Sequence, residues 1–513
     1  MNRHAIPMAV MTRVVPAVVA VAAMGAFYLF LSTAGTMTTF PQAADAHYGQ
    51  LAVAFVDGHT DLIQRPDGTI SGDAALQERY WDLSLHDGRL YLYWGPVPAL
   101  IGAVLLAGFS VHLTDEQLTF GFAVVRALFG ALVLVRVKRV CFRGQPWWPT
   151  LLGIVTLVIG APLTTLLARG VVYEASILGG QCFLVVGIYA ALVALTGPSC
   201  EGSRGRVLLA AASCLWTLGF GCRLSQVLAC AALAGLTFGA RVAAGSSLRR
   251  GRAWVDRLQD GLALGVPMVA GIVLQALYNR NRFGSALDSG LDHQISTLDF
   301  HSAIRFVLPN LYTYVVKAPF VETHFPFVST AHWDEYWLLG MLPYAPHGPS
   351  DTHFESNVGF LWSTPFYALS VMTACALGRW TLRAMVRRDF ALVSPTPLLA
   401  WFATSSLALL VLGLLPCLVS FCSASRYLAD GSSGLAFSAA VGLSLLVARP
   451  CRWSFARWIL RAGATGAVLL SIFVNLALWV GGPYGDSLQT HNRPLFDKLS
   501  AAFDREPVPS PPH

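Results

Sequence analysis

The chain has 513 residues, of which 55% are hydrophobic and only 12% charged, with a formal net charge of +7 and a mean hydropathy of +0.56. Soluble domains run near a quarter charged, so an ordinary soluble enzyme and a disordered chain are both excluded. A nucleic-acid binder is excluded too, because the basic excess is scattered over short segments between apolar runs and builds no basic patch with aromatic partners.

Apolar runs of about 20 residues suffice to cross a bilayer. They fall at 14–34, 117–136, 148–167, 172–196, 206–221, 223–241, 258–278, 357–378, 396–416, 430–448 and 462–481. These predict an all-α polytopic membrane protein with about 11 transmembrane helices. One shorter run, 96–110, opens with Gly95-Pro96-Val97-Pro98. It makes a twelfth span, or a re-entrant or juxtamembrane helix.

Charge decides between these, because Lys and Arg collect on cytoplasmic loops. If 96–110 does not cross, then Arg3, Arg13, Arg136, Lys138, Arg139, Arg143, Arg204 and Arg206 share one side with the N-terminus. So do Arg241, Arg249, Arg250, Arg252, Arg257, Arg379, Arg383, Arg387, Arg388, Arg449, Arg452, Arg457 and Arg461. The expectation is therefore a multi-pass protein of the plasma (inner) membrane with a cytoplasmic N-terminus. Only Glu201, Asp256, Asp260 and Asp389 then face inward, and the other carboxylates gather outside. The apolar stretch of the first run is long for a signal peptide, so it reads as an uncleaved anchor. One membrane domain, 1–481, carries two outer loops, 35–116 and 279–356, and an extracytoplasmic tail, 482–513. Most of the ten cysteines lie inside apolar runs and none forms CxxC, so they read as packing residues.

The first outer loop carries the most information. Tyr48, Leu51, Ala52 and Phe55 recur at helical spacing before Gly58, which predicts an amphipathic surface helix. Leu83, Leu85, Leu90 and Leu92 with Tyr91, Tyr93 and Trp94 suit the membrane interface. Two carboxylates are candidate general bases. Asp45 follows the first span, and Asp82 sits between Trp81 and Leu83. Apolar surroundings desolvate a carboxylate and raise its pKa toward the useful range. The alternative for each is a solvated loop acid.

This organisation resembles the GT-C superfamily of membrane glycosyltransferases, and most of all the aminoarabinose and protein-mannosyl transferases. The resemblance rests on the early loop Asp, the Pro-led helix Gly95-Pro96-Val97-Pro98-Ala99-Leu100, and a following span with Arg126 near its start. The segments DLSLHDGRLYLYWGPVPAL, LYNRNRFGSALDSG and SRYLADGSSG are similar to those of an uncharacterised bacterial branch of multi-span proteins. The resemblance implies transfer of a sugar from a polyprenyl-phosphate donor to a glycan, lipid or protein acceptor at the outer face, without a cofactor. It also implies an Asp base in the first loop, which Asp45 matches by position. No DxD occurs in the chain, which argues against a divalent metal.

Ionisable groups at membrane depth are functional candidates. Arg169, Tyr173 and Glu174 form a short outer turn, Arg223 sits in the turn GCRLSQ, and Arg426, Tyr427 and Asp430 open a span. Arginine supplies the multidentate cationic donors that a lipid phosphate needs. Arg223, Arg426 and Arg169 are accordingly donor-phosphate candidates, and Tyr427, Asp430 and Glu174 acceptor or cavity candidates. The alternative makes Arg169–Glu174 and Arg426–Asp430 ion pairs that staple helix ends. The second loop holds His324, His332, Asp334, Glu335, His353 and Glu355, at spacings that match no zinc motif. Trp333, Tyr336 and Trp337 there suit a lid that contacts a polar acceptor, or an interface belt. The rival to an enzyme is a transporter or an envelope-assembly scaffold, against which the scarcity of mid-span polar groups argues, Arg126 and Gln181 being the main exceptions.

Overall fold

The computed structural model describes residues 8–41, 46–62, 80, 83–197, 202–245, 253–295, 302–330, 353–355, 357–387, 397–448, 454–482 and 488–503. In chain order the longer helices are α1 (Met8–Ser32), α2 (His47–Val56), α3 (Val97–Phe109), α4 (Asp115–Cys141), α5 (Trp148–Ile159), α6 (Leu163–Arg169), α7 (Val172–Thr196) and α8 (Ser203–Cys222). They continue as α9 (Val227–Gly245), α10 (Ala253–Phe283), α11 (Val307–Val315), α12 (Ser370–Arg387), α13 (Pro397–Leu418), α14 (Ala429–Ala448), α15 (Ser454–Gly481) and α16 (Arg493–Phe503).

The protein is an all-α polytopic membrane protein. Among the described residues, nine helical stretches are long and apolar enough to cross a bilayer, with α5 and α6 counted as one. Helices α1 and α12 lie at the two remaining predicted positions. Lipid-facing surfaces are plain: Val266, Val269, Ile272, Val273 and Leu274 of α10 are exposed apolar residues. The short run is α3, of 13 residues. At 1.5 Å per residue it measures about 20 Å, short of the roughly 30 Å hydrocarbon core. Its Val104 and Phe109 are exposed while Val97, Ala99 and Gly102 are buried, so one face lies against α2 and the other is open. Six passes separate the two large loops, which places them at one end of the bundle.

Helix α14 is the axis of the molecule. Every residue from Ala429 to Ser444 is buried, and it packs against α13, α12 and α5. Lipid tails are as apolar as leucine, so association here depends on close packing of small residues and on interhelical hydrogen bonds. Gly434 rests on the backbone of Ser406 and Leu410. Arg126 of α4 is 2% exposed and donates to Ser432 Oγ (3.0 Å) and Ser433 Oγ (3.1 Å) of α14. It lies inside the helix packing and is absent from the cavity walls described below.

Two spans that read as continuous in the sequence are broken. The first is interrupted between α5 and α6 at Gly160-Ala161-Pro162, the other at residues 364–369, where a 3-10 turn begins at Pro365. Irregular backbone survives at membrane depth only where its polar groups find protein partners. Asn475 of α15 supplies them, donating to Ser363 O (2.6 Å), Thr364 Oγ1 (3.2 Å) and Ser471 O (2.8 Å) and accepting from Thr164 Oγ1 through its carbonyl (2.9 Å). Thr364 Oγ1 also accepts from Ala161 N at 2.9 Å.

The predicted surface helix is α2, with Tyr48, Leu51, Ala52 and Ala54 buried and Gly58 beyond its end at φ 81°. Its N-terminus is held by Asp115, which accepts from His47 N at 3.1 Å and Tyr48 N at 2.9 Å. Helix N-termini carry unpaired N–H groups that favour a carboxylate. Asp115→Ala is expected to strand two such donors, at a cost of about 1–3 kcal/mol each. Amide exchange should accelerate in 47–56 and stay unchanged in α8; equal acceleration in both would mean that Asp115 holds the bundle rather than this helix.

Candidate functional site

The three segments that carry the family resemblance come together at the loop end. The first folds as a hairpin, Ser84–His86 (β1) paired antiparallel with Arg89–Tyr91 (β2). Asp87 and Gly88 turn it with φ of 50° and 71°. Two successive positive φ values define the type I′ turn that an Asp-Gly pair favours. The aromatic density of this stretch points to an interface belt, whereas Asp87-Gly88 between alternating residues is the signal for the hairpin actually formed.

The second segment anchors the hairpin. Ser84 Oγ donates to Gly290 O at 2.6 Å, Ile295 N to Leu83 O at 2.7 Å, and Arg282 Nη1 to Leu92 O at 2.7 Å. The Arg282 guanidinium also lies over Tyr278 (3.9 Å) and Phe283 (4.6 Å). Asp288 accepts from Gly290 N at 2.8 Å and contacts His293 Nε2 at 2.9 Å. Burial pushes the Asp288 carboxyl up, but these hydrogen bonds outweigh it and leave its pKa below the ordinary carboxylate value.

Gly95 then sets the geometry of the site. It lies against the backbone of Gly221 and Cys222, where a Cβ has no room. That approach brings Trp94 beside Arg223, which follows α8, with the guanidinium 5.0 Å from the ring centre. Arg223 reaches the third segment, donating to Asp430 Oδ2 of α14 through Nη2 (3.0 Å) and Nε (3.2 Å). The side chains of this pair are 8% and 0% exposed. Gln181 Nε2 fixes the Asp430 carbonyl at 2.9 Å.

Around this pair runs a closed ring of cations and aromatics. The guanidiniums of Arg223 and Arg426 each lie 5.3 Å from the centre of the Tyr427 ring, and that of Arg426 lies 4.3 Å from the Tyr173 ring. Tyr173 meets Trp94 edge-on at 5.0 Å and closes the circuit. Arg169 sits outside it, 5.7 Å from Tyr173. The ring borders a cavity of about 250 Å³ lined by Tyr93, Trp94, Arg223, Ser225, Ser289 and Tyr427, among others.

The structure thus gathers Arg223, Arg426, Tyr427, Asp430 and Arg169 in one neighbourhood. Of the three arginines, only Arg223 lines the cavity. Arg426 is turned into the packing and grips Glu355 with two hydrogen bonds, 2.7 and 2.8 Å. The alternative that paired Arg426 with Asp430 does not hold: Asp430 pairs with Arg223, and Arg426 with Glu355 of the second loop. Glu174 is buried in the first turn of α7, away from the cavity wall. Asp45 and Asp82, and with them His332, Trp333, Asp334, Glu335, Tyr336 and Trp337, lie outside the described residues. Sequence reasoning missed Asp115, though Thr114-Asp115-Glu116-Gln117 is a capping-box signature. It also missed the link between Arg426 and Glu355, which no local spacing reveals.

No protein-family model matches the chain, and no curated protein matches it. Among solved structures the chain is similar to the oligosaccharyltransferase of Archaeoglobus fulgidus in the apo form, at 12% identity and a TM-score of 0.49, covering 96% of this chain and 60% of that one. A structure of the same archaeal enzyme, AglB, with an inhibitory peptide and a dolichol-phosphate gives 12% identity and a TM-score of 0.45, over 96% and 60% of the two chains. A third, tethered to an acceptor peptide containing the NVT sequon, gives 13% and 0.46, over 96% and 59%. The chain spans about 60% of the length of these structures. At such identity the likeness says nothing of chemistry.

Removing one partner of a buried ion pair leaves the other charge uncompensated, which costs about 3–5 kcal/mol. Asp430→Asn should lower the thermal midpoint accordingly, and the double variant Arg223→Met/Asp430→Leu should recover part of the loss. Full additivity of the two single changes would show that the pair is not coupled. The depressed Asp288 pKa gives a pH signature. Its stabilisation is complete above the ordinary carboxylate value and is lost as pH falls through the lower folded-state value. Amide exchange over 289–295 should therefore quicken in acid in the wild type and show no such step in Asp288→Asn.

Proposed function

We propose that the protein is a GT-C-type glycosyltransferase that moves a sugar from a polyprenyl-phosphate donor to a glycan, lipid or protein acceptor at the outer face of the plasma membrane, with its N-terminus in the cytoplasm. One observation carries this reading. Three segments from distant parts of the chain converge with Arg223 on a single cavity at the loop end. The cavity combines what a sugar phosphate needs: aromatic faces at Tyr93, Trp94 and Tyr427, hydroxyls at Ser225 and Ser289, and one guanidinium.

The chemistry is a direct, inverting displacement. Asp45 or Asp82 takes the proton of the acceptor hydroxyl. The acceptor oxygen bonds to the anomeric carbon as the bond from that carbon to the phosphate oxygen breaks. The bonding electrons leave on the polyprenyl phosphate. Negative charge grows there in the transition state, where preorganised donors in a low dielectric act most strongly. Arg223 meets that demand because Asp430 fixes its guanidinium from behind. The transporter alternative needs a path through the bundle, and the buried Arg223–Asp430 pair with the packed axis α14 beneath it favours surface chemistry instead.

Donor profiling tests the reading: purified protein with a panel of polyprenyl-phosphate sugars should release free polyprenyl phosphate with at least one of them. Either Asp45→Asn or Asp82→Asn should abolish release while leaving expression intact, and full activity in both would remove the base assignment. Arg223→Lys keeps the charge and loses the fork, so kcat should fall by about 100-fold or more, as for other transition-state donors.

A further inference from the structure

The end of the bundle opposite the loops has a cavity of its own, of about 530 Å³. Three span ends frame it. Arg136 comes from the last turns of α4, Val193 and Gly197 from the finish of α7, and Ser203, Arg204, Val207 and Leu208 from the start of α8. Arg136 Nε donates to Thr196 Oγ1 at 2.7 Å, which ties the guanidinium to the end of α7. Its two amino groups have no acceptor among the described residues. Arg204 is exposed.

Charge on this wall is uncompensated. The described carboxylates at this end are Asp256 and Asp260, and both are taken. Asp256 pairs with Arg206 at 2.6 Å, and Asp260 meets Arg241 at 3.1 Å and Arg206 at 3.6 Å. Among the described residues no carboxylate pairs with Arg136 or Arg204. The rest of the wall is mostly apolar, and its Val207 is 67% exposed. An exposed valine on a spanning helix faces lipid.

The cleft therefore offers two guanidiniums beside an apolar surface at the edge of the bilayer. Guanidiniums suit phosphate oxygens, and basic pockets between spans suit lipid head groups. A soluble anion has no use for Val193, Val207 and Leu208. A zwitterionic lipid brings an ammonium, for which the described wall has no carboxylate. We propose that this cleft binds the phosphodiester of an anionic phospholipid, with Arg136 and Arg204 on the head group and Val193, Val207 and Leu208 along an acyl chain. The bound lipid joins the far ends of α4, α7 and α8. The site is remote from the Arg223 cavity and does not depend on the glycosyl-transfer reading.

The test uses the full chain in phosphatidylcholine nanodiscs. Each carries a trace of photoreactive phosphatidylglycerol or photoreactive phosphatidylcholine, with crosslinks mapped by mass spectrometry. In the wild type, labelling at Val193 or within 203–208 should favour phosphatidylglycerol by about 25-fold, about fivefold for each guanidinium. Labelling of the lipid-facing stretch 266–274 of α10 should be equal for the two lipids. Arg136→Gln and Arg204→Gln should each cut the preference at the cleft by about fivefold and leave 266–274 unchanged. Arg204→Gln decides the matter if Arg136→Gln alters labelling of 266–274 and so proves misfolded. Equal labelling of the cleft by the two lipids in the wild type would overturn the proposal. So would a preference unchanged in Arg204→Gln and in a folded Arg136→Gln. Inorganic phosphate should displace the label no more than chloride at the same ionic strength; stronger displacement would assign the cleft to a soluble phosphate and overturn the lipid reading.

Discussion

The loop end is organised by one largely buried guanidinium and one fully buried carboxylate. Taking both charges out of solvent is costly, and their mutual attraction repays this only when geometry and further hydrogen bonds are good. Here Arg223 gives two donors to one oxygen of Asp430, while the Asp430 backbone is held by Gln181 of α7. The pair therefore ties α8 to α14, and α14 to α7. A buried ion pair is weak evidence for stability in itself, and an apolar substitute often serves as well. What an apolar substitute cannot do is present the remaining guanidinium surface to a cavity at a fixed angle. The pair is best understood as a positioning device.

The same logic extends to the ring around it. Tyr173, Tyr427 and Trp94 each have an aromatic body and a polar tip, the residue type that suits a boundary between hydrocarbon and water. Their faces attract the guanidiniums of Arg223 and Arg426. Both arginines are thus held by a carboxylate on one side and by rings on the other. The result is a rigid rim at nearly zero net charge, in which direction of donors matters more than strength of field.

How much of this was legible in the sequence depends on the range of the physics. The bilayer imposes long apolar runs on consecutive residues, so most of the spans could be read directly, and 96–110 stood out as a run shorter than the rest. The breaks in two spans were signalled by Pro162 and Pro365, yet their tolerance depends on Asn475, far along the chain. The residues of the rim were legible as polar groups stranded near span ends. Their partners were not. Arg426 and Asp430 are four apart, which suggests an i,i+4 pair. But Arg426 precedes α14 in a 3-10 turn, so the two side chains do not share a helical face, and each finds its partner across tertiary distance.

The position of the second loop follows from the same contacts. Its start is fixed to the hairpin through Ser84, Leu83 and Leu92. Its finish is fixed where His353–Phe354 (β3) pairs in parallel with Cys422–Ser423 (β4), and where Glu355 takes Arg426. Ser289 and Leu291 near the first anchor, and Ser420 and Cys422 near the second, all line the cavity. Both anchors of the loop are therefore also walls of the site. Any movement that loosens one of them must deform the cavity, and a ligand that braces the cavity must steady both. A cavity built at the meeting point of loop anchors has its shape set by the whole loop end rather than by any one helix, which is why no single segment of the sequence announces it.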